Sequence, residues 1–135
     1  GPLEVGKRFV RLPNGLFLQY PGLTGSPYED HQGNLRLAEA SYKTRQGRTH
    51  LYGGKMTENV DQALSRCVIT DHMRMADDAG IWTATMTHDE LVAVVPAHRA
   101  AEDYKTLTQI MTTPPSWAPD LPLDIEGGWA FNYSK

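Results

Sequence analysis

Three residues capable of chemistry stand side by side at His88, Asp89 and Glu90, between Trp82-Thr83-Ala84-Thr85-Met86-Thr87 and Leu91-Val92-Ala93-Val94-Val95. Two adjacent carboxylates beside an imidazole are an expensive placement of like charges, because they repel at close range. The flanking runs, rich in Thr on one side and Val on the other, have the residue types of strands, which places the three at a hairpin tip or its first rungs. Side chains alternate along a strand, so Asp89 and Glu90 point to opposite faces unless the turn rotates one of them. One can then face a shared site while the other is solvated or paired locally. The same three residues would also serve as an ordinary polar turn.

A second constellation is Lys55, Glu58, Asn59, Gln62 and Arg66, whose spacing lines one side of a helix. By itself such a face reads as solvated surface. The helix that carries it spans roughly Met56 to Ala79, is introduced by Gly53-Gly54 and is stopped by Gly80. Val60, Leu64, Cys67 or Val68, and Met75 form its core stripe.

These elements must be positioned by 135 residues, one domain's worth of chain, which buries roughly two thirds of its unfolded surface. A hydrophobic share of 40% and a mean hydropathy of −0.46 fit a soluble globular protein, with no membrane partner and a cytoplasmic setting expected. The lone Cys67 permits no internal disulfide and reads as a small buried apolar residue. Gly1-Pro2 stands where an initiator methionine would, which suggests a protease remnant or a piece of a longer chain. The net charge of −3 argues mildly against nucleic acid, but residues 36–55 hold Arg36, Lys43, Arg45, Arg48 and Lys55, with His50, against the single acid Glu39. A local basic stripe can hold phosphates on an acidic protein, and equally reads as a solvated loop.

In chain order, Arg8–Leu12 and Leu16–Tyr20 read as a hairpin around Pro13-Asn14-Gly15. Residues 21–34 read as loop by composition, 35–42 as another strand, and 44–48 as a mobile segment. Beyond the central hairpin Pro96 marks a boundary, and Ala97 to Met111 reads as an amphipathic helix burying Ala100, Leu107, Ile110 and Met111. The run Thr113-Pro114-Pro115-Ser116-Trp117-Ala118-Pro119-Asp120-Leu121-Pro122 excludes helix and central strand, and Trp117 pins it as an ordered connection. Leu123 to Tyr133 reads as a closing strand with a bend at Gly127-Gly128. The expected fold class is α+β, an antiparallel sheet of hairpins with one long and one shorter helix packed on one face.

The segment Leu51-Tyr52-Gly53-Gly54-Lys55-Met56-Thr57-Glu58-Asn59-Val60-Asp61-Gln62-Ala63-Leu64-Ser65-Arg66, followed by His88-Asp89-Glu90 and by Leu121-Pro122-Leu123-Asp124-Ile125-Glu126-Gly127-Gly128-Trp129, resembles the C-terminal part of the palm of DNA polymerase I family (family A) enzymes in their bacteriophage form. Leu12-Pro13-Asn14-Gly15-Leu16 and Gln19-Tyr20-Pro21 resemble the hairpin after the fingers in phage members, so the likeness covers nearly the whole chain. It implies hairpins and a basic loop over 1–52, a DNA-facing helix over 53–80, a catalytic hairpin over 81–96, and a helix, Pro-rich connection and closing strand over 97–135.

The resemblance implies that Asp89 binds Mg²⁺ beside the primer end and the incoming deoxynucleoside triphosphate, with Glu90 a less direct neighbour and His88 near the primer terminus. Gln62 would read the minor groove of primer–template DNA, with Lys55, Glu58, Asn59 and Arg66 on the same side. Two-metal phosphoryl transfer also needs carboxylates from a separate strand. The family's Asp-Tyr-Ser-like motif and its fingers helix are both absent here, and Lys43 ahead of Tyr52-Gly53 mimics only part of the latter. The expectation is one catalytic portion of a polymerase that needs a complementary segment or chain and is inactive alone. A non-catalytic DNA-binding or assembly module with palm architecture is the alternative. A metal hydrolase using His88 and Asp89 with His50 or His72 is disfavoured, because no cluster has ligand spacing.

Overall fold

The computed structural model describes residues 1–133, so the last two positions of the 97–135 segment lie outside the described residues. The chain divides into two compact units, Gly1–Leu64 and Ser65–Lys135, with the boundary inside the long helix. It is an α+β protein with three small antiparallel sheets.

In the first unit, β1 (Glu4–Val5), β2 (Phe9–Arg11) and β3 (Phe17–Gln19) form one sheet in that order. The β2–β3 hairpin turns where Asn-Gly demands it: Gly15 has φ 83, and the Asn14 side chain accepts a hydrogen bond from the Leu16 N–H at 3.0 Å. Phe9 and Phe17 meet edge to face at 5.3 Å. The second sheet has the order β4 (Thr24–Glu29), β5 (Leu35–Thr44), β6 (Gly47–His50). One expectation is corrected here. Residues 21–34 are not all loop, because Thr24–Glu29 pairs with β5 despite its Gly, Ser and Pro; as an edge strand it needs no donor from Pro27 on its open side. Within 44–48, Arg45 and Gln46 make a two-residue turn closed by the Thr44–Gly47 pair, with the Thr44 hydroxyl donating to the Gly47 carbonyl at 3.0 Å. Val10, Leu12, Tyr20 and Ala40 are buried, and Tyr42 meets Tyr20 edge to face at 5.1 Å.

Helix α1 (Gly53–Asp78) begins at Gly53-Gly54 rather than after them. It ends as its sequence predicts. Gly80 takes φ 76, its N–H bonds the Asp77 carbonyl at 2.9 Å and the Ile81 N–H reaches the Ala76 carbonyl at 2.9 Å, a Schellman closure that only glycine adopts without Cβ strain. Cys67, Ile69, His72 and Ala76 are its buried residues; of the expected stripe, Cys67 is buried, Met75 packs against the core, and Val60, Leu64 and Val68 are half-buried.

In the second unit β7 (Thr83–Thr87) pairs with β8 (Glu90–Ala93), and a 3₁₀ turn at Ala97–Arg99 leads into α2 (Ala100–Met111). Ala76, Ile81 and Ile110 form a core flanked by Met75, Ala93, Val95 and Leu107, which packs both helices against this hairpin. Trp117 pins the proline-rich connection through its indole N–H, which donates to Asp71 at 3.3 Å. The expected closing strand over 123–133 is corrected: no strand forms there among the described residues. Its Gly127-Gly128 pair weakens any ladder, and the segment is tied by side chains instead. Among the described residues no helix is long and apolar enough to cross a membrane.

Candidate functional site

The β7–β8 hairpin closes on the pair Thr87–Glu90, leaving His88 and Asp89 as its two turn residues. His88 takes φ 53, a left-handed conformation in which His, Asn and Asp are several-fold enriched among non-glycine residues. Both turn residues are exposed. Asp89 has no hydrogen-bond or ion-pair partner among the described residues, whereas the half-buried Glu90 accepts from the Tyr133 hydroxyl at 3.1 and 3.3 Å. The two adjacent acids are thus differentiated: one projects at the tip, the other is engaged locally. Tyr133 was not legible as a partner, because it lies 43 residues from Glu90 and nothing in its surroundings marks it.

Asp89 and Glu90 are among the residues lining an open groove of about 1240 Å³ within the second unit. Its other walls include Asp103 and Tyr104 from α2, and Trp129 and Phe131 from the terminal segment. The Tyr104 hydroxyl donates to the Gly127 carbonyl at 2.9 Å, giving that segment its second side-chain tether after Tyr133. Asp103 is buried, accepts from the Arg99 guanidinium at 2.8 Å through Oδ1, and has no partner for Oδ2 among the described residues. No group of three or more His, Cys, Asp or Glu that could hold a metal occurs among the described residues. Asp89 therefore offers one carboxylate to a cation. Mg²⁺ takes one or two carboxylates from protein and fills its octahedron with water and phosphate oxygens, so these residues fit part of a site and not a two-metal centre.

The helix-face residues lie along α1, Lys55, Glu58, Asn59 and Gln62 in the first unit and Arg66 just past the boundary. Glu58 knits this face together: Lys55 Nζ donates to it at 3.0 Å and Gln62 Nε2 at 3.3 Å. That hydrogen bond and the carboxylate's charge hold the Lys55 ammonium above the ordinary lysine range. Asn59 instead packs inward, its amide reaching the Tyr20 hydroxyl at 3.4 Å, so it positions the helix more than it presents a donor. Gln62 and Arg66 are exposed.

Of the histidines considered for a hydrolase, one is committed to a backbone bond and the other belongs to the other unit. His72 is buried and bonds the Thr113 carbonyl at 2.9 Å through Nε2, which must carry the proton because a carbonyl only accepts. His50 sits on β6 in the first unit.

Comparison with known proteins points in one direction. The chain is 36% identical over 140 residues to a protein of Bacillus phage SP02 named DNA polymerase. The match covers 98% of this chain and 20% of that relative, so the chain spans about a fifth of its length. No protein-family model matches the chain, and no solved structure matches it.

Proposed function

We propose that this chain is a C-terminal catalytic portion of a family A, phage-type DNA-directed DNA polymerase. The observation that carries the reading is the 36% identity to a phage DNA polymerase along 98% of the chain, coinciding with an exposed Asp89 at a hairpin tip that has no partner among the described residues. In this reading Asp89 would be the residue of this chain that holds Mg²⁺ beside the primer end, with a second carboxylate supplied by a complementary segment or chain, and the ion when bound would supply neutralisation of phosphate charge. Glu90, held by Tyr133, keeps the hairpin's first rung in place, and the exposed His88 lies next to the primer terminus.

Gln62 supplies a side-chain amide to the minor groove, where A·T and T·A pairs present the same acceptors. A donor there senses base-pair shape with little dependence on sequence. Its hydrogen bond to Glu58 is long and exposed, so exchanging it for a base acceptor costs little. Lys55, kept charged by Glu58, and Arg66 offer cations along the same helix side.

The test is primer extension by the chain combined with its complementary segment. Asp89→Ala should lower the extension rate by on the order of 10²–10³-fold or more, as loss of a transition-state charge stabiliser does, while duplex affinity holds. Near-normal extension would sink the assignment. DNA binding that ignores Asp89→Ala, with no extension under any complementation, would instead favour a DNA-binding or assembly module.

A further inference from the structure

The basic stripe noted in the sequence becomes a defined surface in the fold. From Ala40 to Thr57 there is no acidic residue, and within that span β5 and β6 form a hairpin bearing Lys43, Arg45, Arg48 and His50, all exposed. The register sets Lys43 directly opposite Arg48 and Ser41 opposite His50. Alternation then puts Ser41, Lys43, Arg48 and His50 on one face, and Ala40, Tyr42 and Thr49 on the other. Burial agrees: Ala40 is buried and Tyr42 half-buried against Tyr20, so the basic face is the one turned to solvent.

Like charges directly opposite on neighbouring strands are destabilising. The sheet holds Arg48 there with neutral acceptors only: its guanidinium donates to the Ser41 hydroxyl at 3.1 Å, the Ser41 carbonyl at 2.8 Å and the Gly22 carbonyl at 3.1 Å. These bonds fix its position and leave its charge uncancelled. Lys43 and Arg45 have no acidic partner among the described residues; by contrast Arg36, on the same strand, is paired with Asp30. Edge strands carry lysine to block pairing with other chains, but β5 is the central strand of its sheet, so edge protection does not account for Lys43.

We propose that this face of the β4–β6 sheet is a second nucleic-acid contact, separate from the α1 face, which grips the sugar–phosphate backbone of duplex DNA through Lys43, Arg45 and Arg48 without reading bases. Charge complementarity selects the partner: a row of fixed cations with flanking Thr24 and Ser41 hydroxyls suits phosphate oxygens, which take most protein–DNA hydrogen bonds. The choice of DNA over another polyanion rests on the polymerase reading above; the geometry does not depend on Asp89 or Gln62.

The experiment is fluorescence anisotropy of the 135-residue chain with a labelled blunt DNA duplex across a salt series. Lys43→Gln/Arg45→Gln removes two exposed cations without touching the Arg48 network. It should reduce the slope of log affinity against log salt by about 2 and weaken binding at 0.1 M salt by about tenfold or more. Lys105→Gln, on α2, should leave the slope unchanged, and circular dichroism should show all variants folded. An unaltered slope in the double variant, or no duplex binding by the parent chain at low salt, overturns the proposal. Gln62→Ala, measured alongside, separates the two surfaces: if it weakens binding while the double variant does not, the helix reading survives and this one falls.

Discussion

Two hairpins in this chain turn in two residues, and they solve the same problem with opposite means. At the β5–β6 turn, Arg45 and Gln46 are followed by Gly47 with φ 122, so glycine takes the backbone conformation that side chains avoid. At the β7–β8 turn no glycine is present, and His88 takes φ 53 itself. The basic hairpin is supported by one ring contact, Tyr42 on Tyr20, and by the Arg48 bonds. The acidic hairpin stands on an apolar cluster drawn from β8 and both helices. A tip that accepts backbone strain on a firm base is how a side chain is held at a chosen place. A strain-free tip on a lighter base suits a surface that only has to present charge.

The comparison breaks first if the firm base is removed. Ile81 is 1% exposed and sits in the cluster under the acidic hairpin, so Ile81→Ala should cost about 3–4 kcal/mol in urea unfolding. Amide exchange should then rise in β7 and β8 before it rises in β4–β6. Equal acceleration in both hairpins would mean that the cluster does not distinguish them. The counterpart on the basic side is Tyr42→Ala. It removes a half-buried ring and an edge-to-face pair, and about 2 kcal/mol of destabilisation is expected, read as lost protection in β5 and β6.

Much of this layout was legible in the residues, and the exceptions share a cause. Asn14-Gly15, Gly80 and Pro96 are local signals with local effects, and the β2–β3 turn, the end of α1 and the start of the 97–111 helical segment follow from them. β4 was missed because Gly25, Ser26 and Pro27 argue against a strand, and its pairing comes from the facing β5. The terminal segment errs in the other direction: 123–133 reads as a closing strand bent at Gly127-Gly128, yet Tyr104 and Tyr133 tether it through their hydroxyls rather than a ladder. The tip residues His88, Asp89 and Glu90 were identified by type and spacing. Which of the two acids is engaged depends on Tyr133, and that is tertiary information.

Asp30 sharpens the contrast on the basic side through pH. Its carboxylate accepts from the Arg36 guanidinium and from the Asn34 and Gln32 backbone N–H groups, both at 2.9 Å, closing the β4–β5 turn. The Arg36 hydrogen bond first, then those backbone donors, hold its pKa far below the ordinary carboxylate range. A folded-state pKa below the unfolded one means that the stabilisation is fully present above about pH 4–5 and fades as pH falls through the acid range. Asp30→Asn should therefore lower stability near neutrality and flatten the acid limb of the stability curve. If wild type and Asp30→Asn lose stability in parallel between pH 5 and pH 2, the carboxylate does not hold this turn.

The smallest effect discriminates best, because it sets fold against function at one residue. His88→Gly places at the acidic tip the residue type that the basic hairpin uses beside its own turn. Relieving a positive φ from a side chain is worth about 0.5–1 kcal/mol, partly offset by the greater freedom of glycine in the unfolded chain. Thermal unfolding should then show a gain of a few tenths of a kcal/mol at most. If the imidazole is there to lie against a primer terminus, extension by the complemented enzyme should fall while stability holds or rises, and His88→Asn, which also tolerates this φ, should keep the fold without restoring the rate. A His88→Gly protein that is both more stable and fully active would show that the histidine is only a turn residue, and the contrast between the two tips would reduce to the glycine that one of them lacks.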